Sequence, residues 1–486
     1  MRSFILAGAL VLAATGVHAA TYEKAACPVA VAADEKIECG KLTVPENRNK
    51  PGSRTITLSV EIFRSRSATP APDPVIFLPG GPGGSATRQK SGKNNPFLDD
   101  RDYILLEPRG AAYSSSPLNC PEINAIKGEI AAGHHAKDAD AVLTQAAAKC
   151  RADLTTQVID LDGYTSAETA DDIDDLRQAL GIKQWNVFGH SYGTRLALTY
   201  LRDHPDGVRS VILDSVLPPE ADFDESASAN LTRALNAVFD GCRVNPACAR
   251  AYPSIAGQFY SLVDRTTVQP LTLTPAIMGS DNRAVIADGA VVVDAIYSAL
   301  HNPGQIGQIP AIIADANNGK TDRLAALIKD NQGPSNFTWG LRLSIWCGEE
   351  MPFEDSSQVE DQTSPGWGLG GIDERTASVA MCKAWNVAAA DPRENLPVKS
   401  DVPVLVLSGE FDPDTPPQWA RAMAANLTHA RFVLMPGQTH GAGFNRCGGT
   451  IEPAFLRDPS APLDTTCVLT MPTADFTPAP SAPLLQ

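Results

Sequence analysis

Short apolar runs recur along the chain at residues 75–78, 103–106, 187–188, 211–213, 404–407 and 432–434. Continuous runs of this length predict strands buried on both faces. Residues 55–63 instead alternate apolar and polar side chains, which predicts a half-exposed strand. Segments with helical spacing lie between the runs, at 167–180 and 194–202. Strands and helices in alternation predict an α/β protein: a mainly parallel sheet with helices on both faces.

The alternation breaks after Asp214-Ser215-Val216-Leu217-Pro218-Pro219, and the strand pattern returns at Val402. Helical patterns and loops fill the interval. The expectation is one sheet domain built from residues 21–217 and 396–471, interrupted by a mostly helical cap over 218–395. A Pro/Ala-rich tail, 472–486, reads as an irregular surface strap or a disordered end.

The N-terminus changes the picture of where the protein works. Met1-Arg2-Ser3 precedes an apolar run at 4–14 and then small residues up to Ala19-Ala20. This is the form of a secretory signal peptide over residues 1–20, too short to span a membrane. The ten cysteines are an even number in a chain expected to be exported, which favours disulfides. They fall in sequence-local pairs, so the expected bridges are Cys27–Cys39, Cys120–Cys150, Cys242–Cys248, Cys347–Cys382 and Cys447–Cys467. No C-x-x-C is present, and no histidine sits beside paired cysteines at ligand spacing, so no metal site is expected. The net charge of −16 argues against nucleic acid as a partner.

The chemistry concentrates at Gly189-His190-Ser191-Tyr192-Gly193, a G-x-S-x-G between a strand end and a helical segment. This is the form of a nucleophile elbow, a tight turn that exposes a serine hydroxyl. A neutral hydroxyl needs a base. Of eight histidines, His18 leaves with the signal, His134 and His135 read as a solvated pair, His190 packs beside the serine, and His204 caps a helix. His440 follows the last strand and the loop Pro436-Gly437-Gln438-Thr439, where this architecture places its base. The loop Ser408-Gly409-Glu410-Phe411-Asp412-Pro413-Asp414 follows the penultimate strand, so either Asp412 or Asp414 can orient the imidazole. An oxyanion needs backbone N–H donors. Tyr192 follows the nucleophile, and Pro79-Gly80-Gly81-Pro82-Gly83-Gly84 follows an early strand.

Gly80-Gly81-Pro82-Gly83, Arg109-Gly110, the elbow, Gly409-Glu410-Phe411-Asp412-Pro413-Asp414-Thr415-Pro416 and His440-Gly441 together resemble the α/β-hydrolase serine peptidases. That family includes proline iminopeptidases and secreted tripeptidyl aminopeptidases. The similarity runs from about residue 39 to residue 467. It implies an α/β-hydrolase fold with Ser191 as nucleophile, Asp412 rather than Asp414 as acid, and His440 as base. Gly81 and Tyr192 would supply the oxyanion hydrogen bonds. Two departures from the family pattern stand near the expected site floor: Pro79 before the glycines, and Glu107-Pro108-Arg109-Gly110 followed by Ala111-Ala112.

The expected activity is that of an exported serine aminopeptidase without cofactor, acting on peptides with a free N-terminus. Such an enzyme recognises an α-ammonium, and Glu349-Glu350 in the cap are the candidate carboxylates. The alternative is a carboxylic-ester hydrolase using the same triad.

Overall fold

The computed structural model describes residues 20–32, 35–87, 94–131, 139–274, 284–330, 337–363 and 377–478. The expected signal segment and the pair His134-His135 lie outside the described residues.

Among the described residues eleven strands run in chain order as β1 (Thr21–Lys24), β2 (Ile37–Pro45), β3 (Thr55–Phe63), β4 (Val75–Leu78), β5 (Tyr103–Leu106), β6 (Trp185–His190), β7 (Val208–Asp214), β8 (Leu271–Leu273), β9 (Val285–Ala287), β10 (Val404–Gly409) and β11 (Ala430–Met435). Nine of them form one sheet in the order β1-β2-β3-β5-β4-β6-β7-β10-β11, and β8 pairs with β9 separately. From β5 to β11 every pairing in the large sheet is parallel. The first three strands extend it in antiparallel fashion.

Each predicted apolar run lies inside a strand of this sheet. β4 and β5 are buried at every position, as parallel strands covered on both faces must be. β3 departs from its alternating pattern: residues 58–63 are all buried. The loop that follows β5 covers the face carrying Ser59 and Glu61, with Ser59 Oγ donating to the Tyr113 carbonyl at 2.8 Å. Glu61 is carried inside with it, and burial together with the neighbouring Glu107 pushes its carboxyl up to about 7.

The helix Ser166–Ala179 begins at Thr165, whose hydroxyl accepts from the Glu168 amide, a cap worth about 1 kcal/mol. Arg109 is fully buried and pairs with Asp172 of this helix at 2.7 Å. It also donates to the carbonyl of Glu46. Arg109 is therefore a structural cation that fastens the early loops to the helix layer, while Glu107 holds the chain just past the glycine loop. It accepts from Ser85 Oγ at 2.9 Å and from the Thr87 amide at 3.2 Å.

Between β7 and β10 the chain is mostly helical. Its first part, from Leu231 to Ile328, contributes to an apolar cluster of its own. Its later part, including Trp339, Trp346 and Trp385, joins the cluster beneath the sheet. The described part of the Pro-rich tail, residues 472–478, sets Phe476 into the first of these clusters, against Gly241. The structure joins the cysteines as Cys27–Cys39, Cys120–Cys150, Cys242–Cys248, Cys347–Cys382 and Cys447–Cys467.

Candidate active site

The strand order reverses direction between β4 and β6, from which the chain proceeds to β5 on one side and β7 on the other. In open α/β sheets such a switch point leaves a crevice at the carboxyl ends of the strands. Leu78 stands opposite Gly189 in this ladder, so the glycine loop and the elbow emerge side by side.

Ser191 has φ 57° and ψ −127°, a conformation that costs ~1–3 kcal/mol and lifts the side chain clear of the turn. Its amide donates to the Asp214 carbonyl at 3.0 Å. A Cβ at position 193 would lie 2.1 Å from the Leu78 carbonyl oxygen, so only glycine lets the helix start this close to β4. Tyr192 opens the helix Tyr192–Asp203, whose positive dipole end faces the same space. Gly81, at φ 132°, Ser191 and Tyr192 share the wall of a cavity of about 250 Å³. Ser191 Oγ makes no hydrogen bond among the described residues.

His440 stands next to the elbow, its ring 5.1 Å from that of His190. Burial lowers the His190 imidazole to about 3, which keeps that ring neutral. His440 Nδ1 faces Asp412 at 3.0 and 3.1 Å. Asp412 is fully buried and also accepts from the Asp414 and Thr415 amides and from Thr415 Oγ1 at 2.7 Å. Burial raises its carboxyl, but His440 and the Thr415 donors outweigh that and hold it far below the ordinary range. For His440, burial lowers the pKa and Asp412 more than reverses it, to about 9.

Asp414 takes a different place. Its carboxylate lies 4.0 Å from His440 Nδ1 and is occupied by Tyr297 and by His301 Nε2, the latter at 2.9 Å. Both partners come from the helical insertion, His301 more than a hundred residues away in sequence, and no local motif marks them. Asp412, Asp414 and His440 also form a cluster of ligand-type atoms, but their hydrogen bonds already account for the arrangement.

The Glu349-Glu350 expectation is corrected. Both are buried, and neither lines the cavity. Glu349 accepts from the Ser166 amide and hydroxyl at 2.6 Å each. The same hydroxyl contacts Tyr192 Oη at 2.7 Å. Glu350 meets Arg195 at 2.5 Å. A buried cation on the helix behind Ser191 claims these carboxylates, so they tie the insertion to that helix.

Residues 73–262 match the family described as alpha/beta hydrolase fold, and residues 372–467 the family described as TAP-like protein. The serine protease Hip1 of Mycobacterium tuberculosis is 25% identical over 440 residues, covering 84% of this chain and 82% of its own length. The tripeptidyl aminopeptidase of Streptomyces lividans is 33% identical over 198 residues, 38% of this chain and 36% of its own. A proline iminopeptidase of Arabidopsis thaliana is 29% identical over 157 residues, 32% of this chain and 30% of its own. Matched on both sides of its helical insertion, and aligned with a serine protease over most of both lengths, the chain belongs to the α/β-hydrolase serine peptidases.

Proposed function

We propose that this serine peptidase is an exported aminopeptidase that releases single residues or short peptides through an acyl-enzyme on Ser191. His440 takes the Ser191 proton as Oγ attacks the scissile carbonyl carbon, and Asp412 holds the imidazole tautomer and stabilises the imidazolium. Charge developing on the carbonyl oxygen falls to the amides of Gly81 and Tyr192. The C–N bond then breaks, and His440 returns the proton to the departing amine. Water attacks the resulting ester by the same route and restores Ser191.

The observation that carries this reading is the cavity shared by Gly81, Ser191 and Tyr192 and lined also by Phe223, Tyr297 and Trp346 of the insertion. A cavity walled in part by the insertion suits the end of a peptide better than the middle of a long chain, and residues 218–395 are the cap in this reading. The names of the relatives, tripeptidyl aminopeptidase and proline iminopeptidase, point the same way. Five disulfides support export. No described helix is long and apolar enough to cross a membrane.

The test is hydrolysis of Pro-, Ala- and Ala-Ala-Pro-type chromogenic amides, each free and N-acetylated, beside a p-nitrophenyl ester, with Ser191→Ala as control. Cleavage confined to free-amine amides and lost in the control is expected. Turnover of the ester without any amide would replace the aminopeptidase by an ester hydrolase.

A further inference from the structure

Arg342 lies on the helix Trp339–Glu349 and forms part of the wall of the cavity that holds Ser191. The residue is 7% exposed. Its Nη1 donates to the Gly81 carbonyl at 2.6 Å, and its guanidinium lies 3.6 Å above the Trp346 ring. The remaining donors are uncommitted: Nε is buried without a hydrogen-bond partner. No carboxylate comes within 4 Å of it among the described residues. The two acidic groups that influence it from further off, Asp224 and Glu350, are engaged by Trp346 Nε1 and by Arg195.

A desolvated guanidinium without a contacting anion is costly, and a group that enters the cavity with a negative charge removes that cost. A neutral carbonyl can fill a donor but leaves the charge with only the Trp346 ring and the more distant Asp224 and Glu350 to offset it. A carboxylate does both, in the planar fork geometry that arginine matches. The position of Arg342 fixes which part of a substrate it meets. It enters beside Gly81, whereas the departing amine must be protonated by His440, next to Asp414 and Thr415. The group at Arg342 therefore belongs to the acyl half of the scissile bond.

We propose that Arg342 reads a carboxylate on the acyl side of the scissile bond, so that the preferred substrates release an Asp or Glu residue, or a short peptide containing one. This rests on the peptidase reading of the same cavity and names its substrate class.

The experiment compares isosteric pairs with the full chain: free-amine Glu- and Gln-p-nitroanilides, and Ala-Ala-Glu, Ala-Ala-Gln, Ala-Glu-Ala and Ala-Gln-Ala p-nitroanilides. A p-nitrophenyl hemisuccinate and a p-nitrophenyl butyrate ask the same question without a peptide. The wild type is expected to favour the acidic member of at least one pair by on the order of 10-fold or more in kcat/KM. Arg342→Met keeps an apolar stem on Trp346 and should bring that ratio to about one. The ratio is the readout because Arg342 also holds the Gly81 carbonyl, so loss of overall rate alone proves nothing. If Arg342→Met does not fold, the wild-type ratios decide. Neutral peptides cleaved with no acidic preference, or a preference that survives Arg342→Met, would overturn the assignment and leave the peptidase reading standing. Preference for the hemisuccinate without cleavage of any peptide would do the reverse.

Discussion

Asp214 holds both partners of the proposed proton transfer at once: its carbonyl accepts the Ser191 amide at 3.0 Å, and its carboxylate accepts the Gly443 amide, three residues past His440, also at 3.0 Å. The adjoining Ser215 Oγ accepts from Gly441 at 2.8 Å. The end of β7 thus sets the spacing between the elbow and the histidine loop. Ser215→Ala frees Gly441 and should lower kcat about tenfold with KM little changed, since a small misplacement of the base acts on the chemistry. Steady-state kinetics on the best amide check this; a change confined to KM would remove the positioning role.

The two aspartates of the Asp412-Pro413-Asp414 turn should separate cleanly. Asp412→Asn leaves the shape intact but favours the wrong imidazole tautomer, and should cut kcat by ~10³–10⁴. Asp414→Asn disturbs a contact with Tyr297 and His301 and should cost less than about tenfold. The reverse order would make Asp414 the orienting acid.

The pH dependence follows from the same pair. Burial lowers the His440 pKa, but Asp412 carries it up to about 9 from an ordinary 6.5. The base must be neutral to accept a proton, so kcat/KM should climb with pH on a limb displaced upward from 6.5. Asp412→Asn removes the raising charge, and the residual limb should move to lower pH. In stability the raised pKa acts oppositely. Its contribution is complete below 6.5 and is lost as pH rises through about 9. The lowered Asp412 carboxyl contributes above its ordinary 3.8 and loses this only on strong acidification. Urea midpoints at pH 7 and pH 10 should therefore fall with rising pH by more in the wild type than in Asp412→Asn.

Phe476 anchors the tail in the apolar cluster of the insertion and is 7% exposed. Phe476→Ala leaves a void beside Gly241 and should destabilise by about 3 kcal/mol. Calorimetry should show the loss while Ser191 still reacts with a fluorophosphonate. An unchanged melting temperature would show that the tail carries no stability.

The sheet was legible in the sequence because strands buried on both faces leave continuous apolar runs. The elbow was legible because its steric demands confine it to small residues. β3 misled because Ser59 and Glu61 alternate as on an open face, and only the loop that brings the Tyr113 carbonyl onto Ser59 closes it. Glu349 and Glu350 were misplaced for a related reason. An acidic pair in a cap reads as a substrate site until the buried Arg195 that claims it is seen. Tyr297, His301 and Arg342 carried no local signal, since each gains its meaning from a partner far along the chain.

The bridge between Cys347 and Cys382 begins at the end of the Arg342 helix and spans a separation of 35 residues. A single peptide bond cut anywhere inside that ring would leave one molecule of nearly unchanged mass. Non-reducing electrophoresis would not reveal the nick, and the wall of the cavity would stay tethered from both directions. A peptidase so bridged can sustain an internal cut in its own helical insertion, and the damage would come apart only when a reductant reached the bridge.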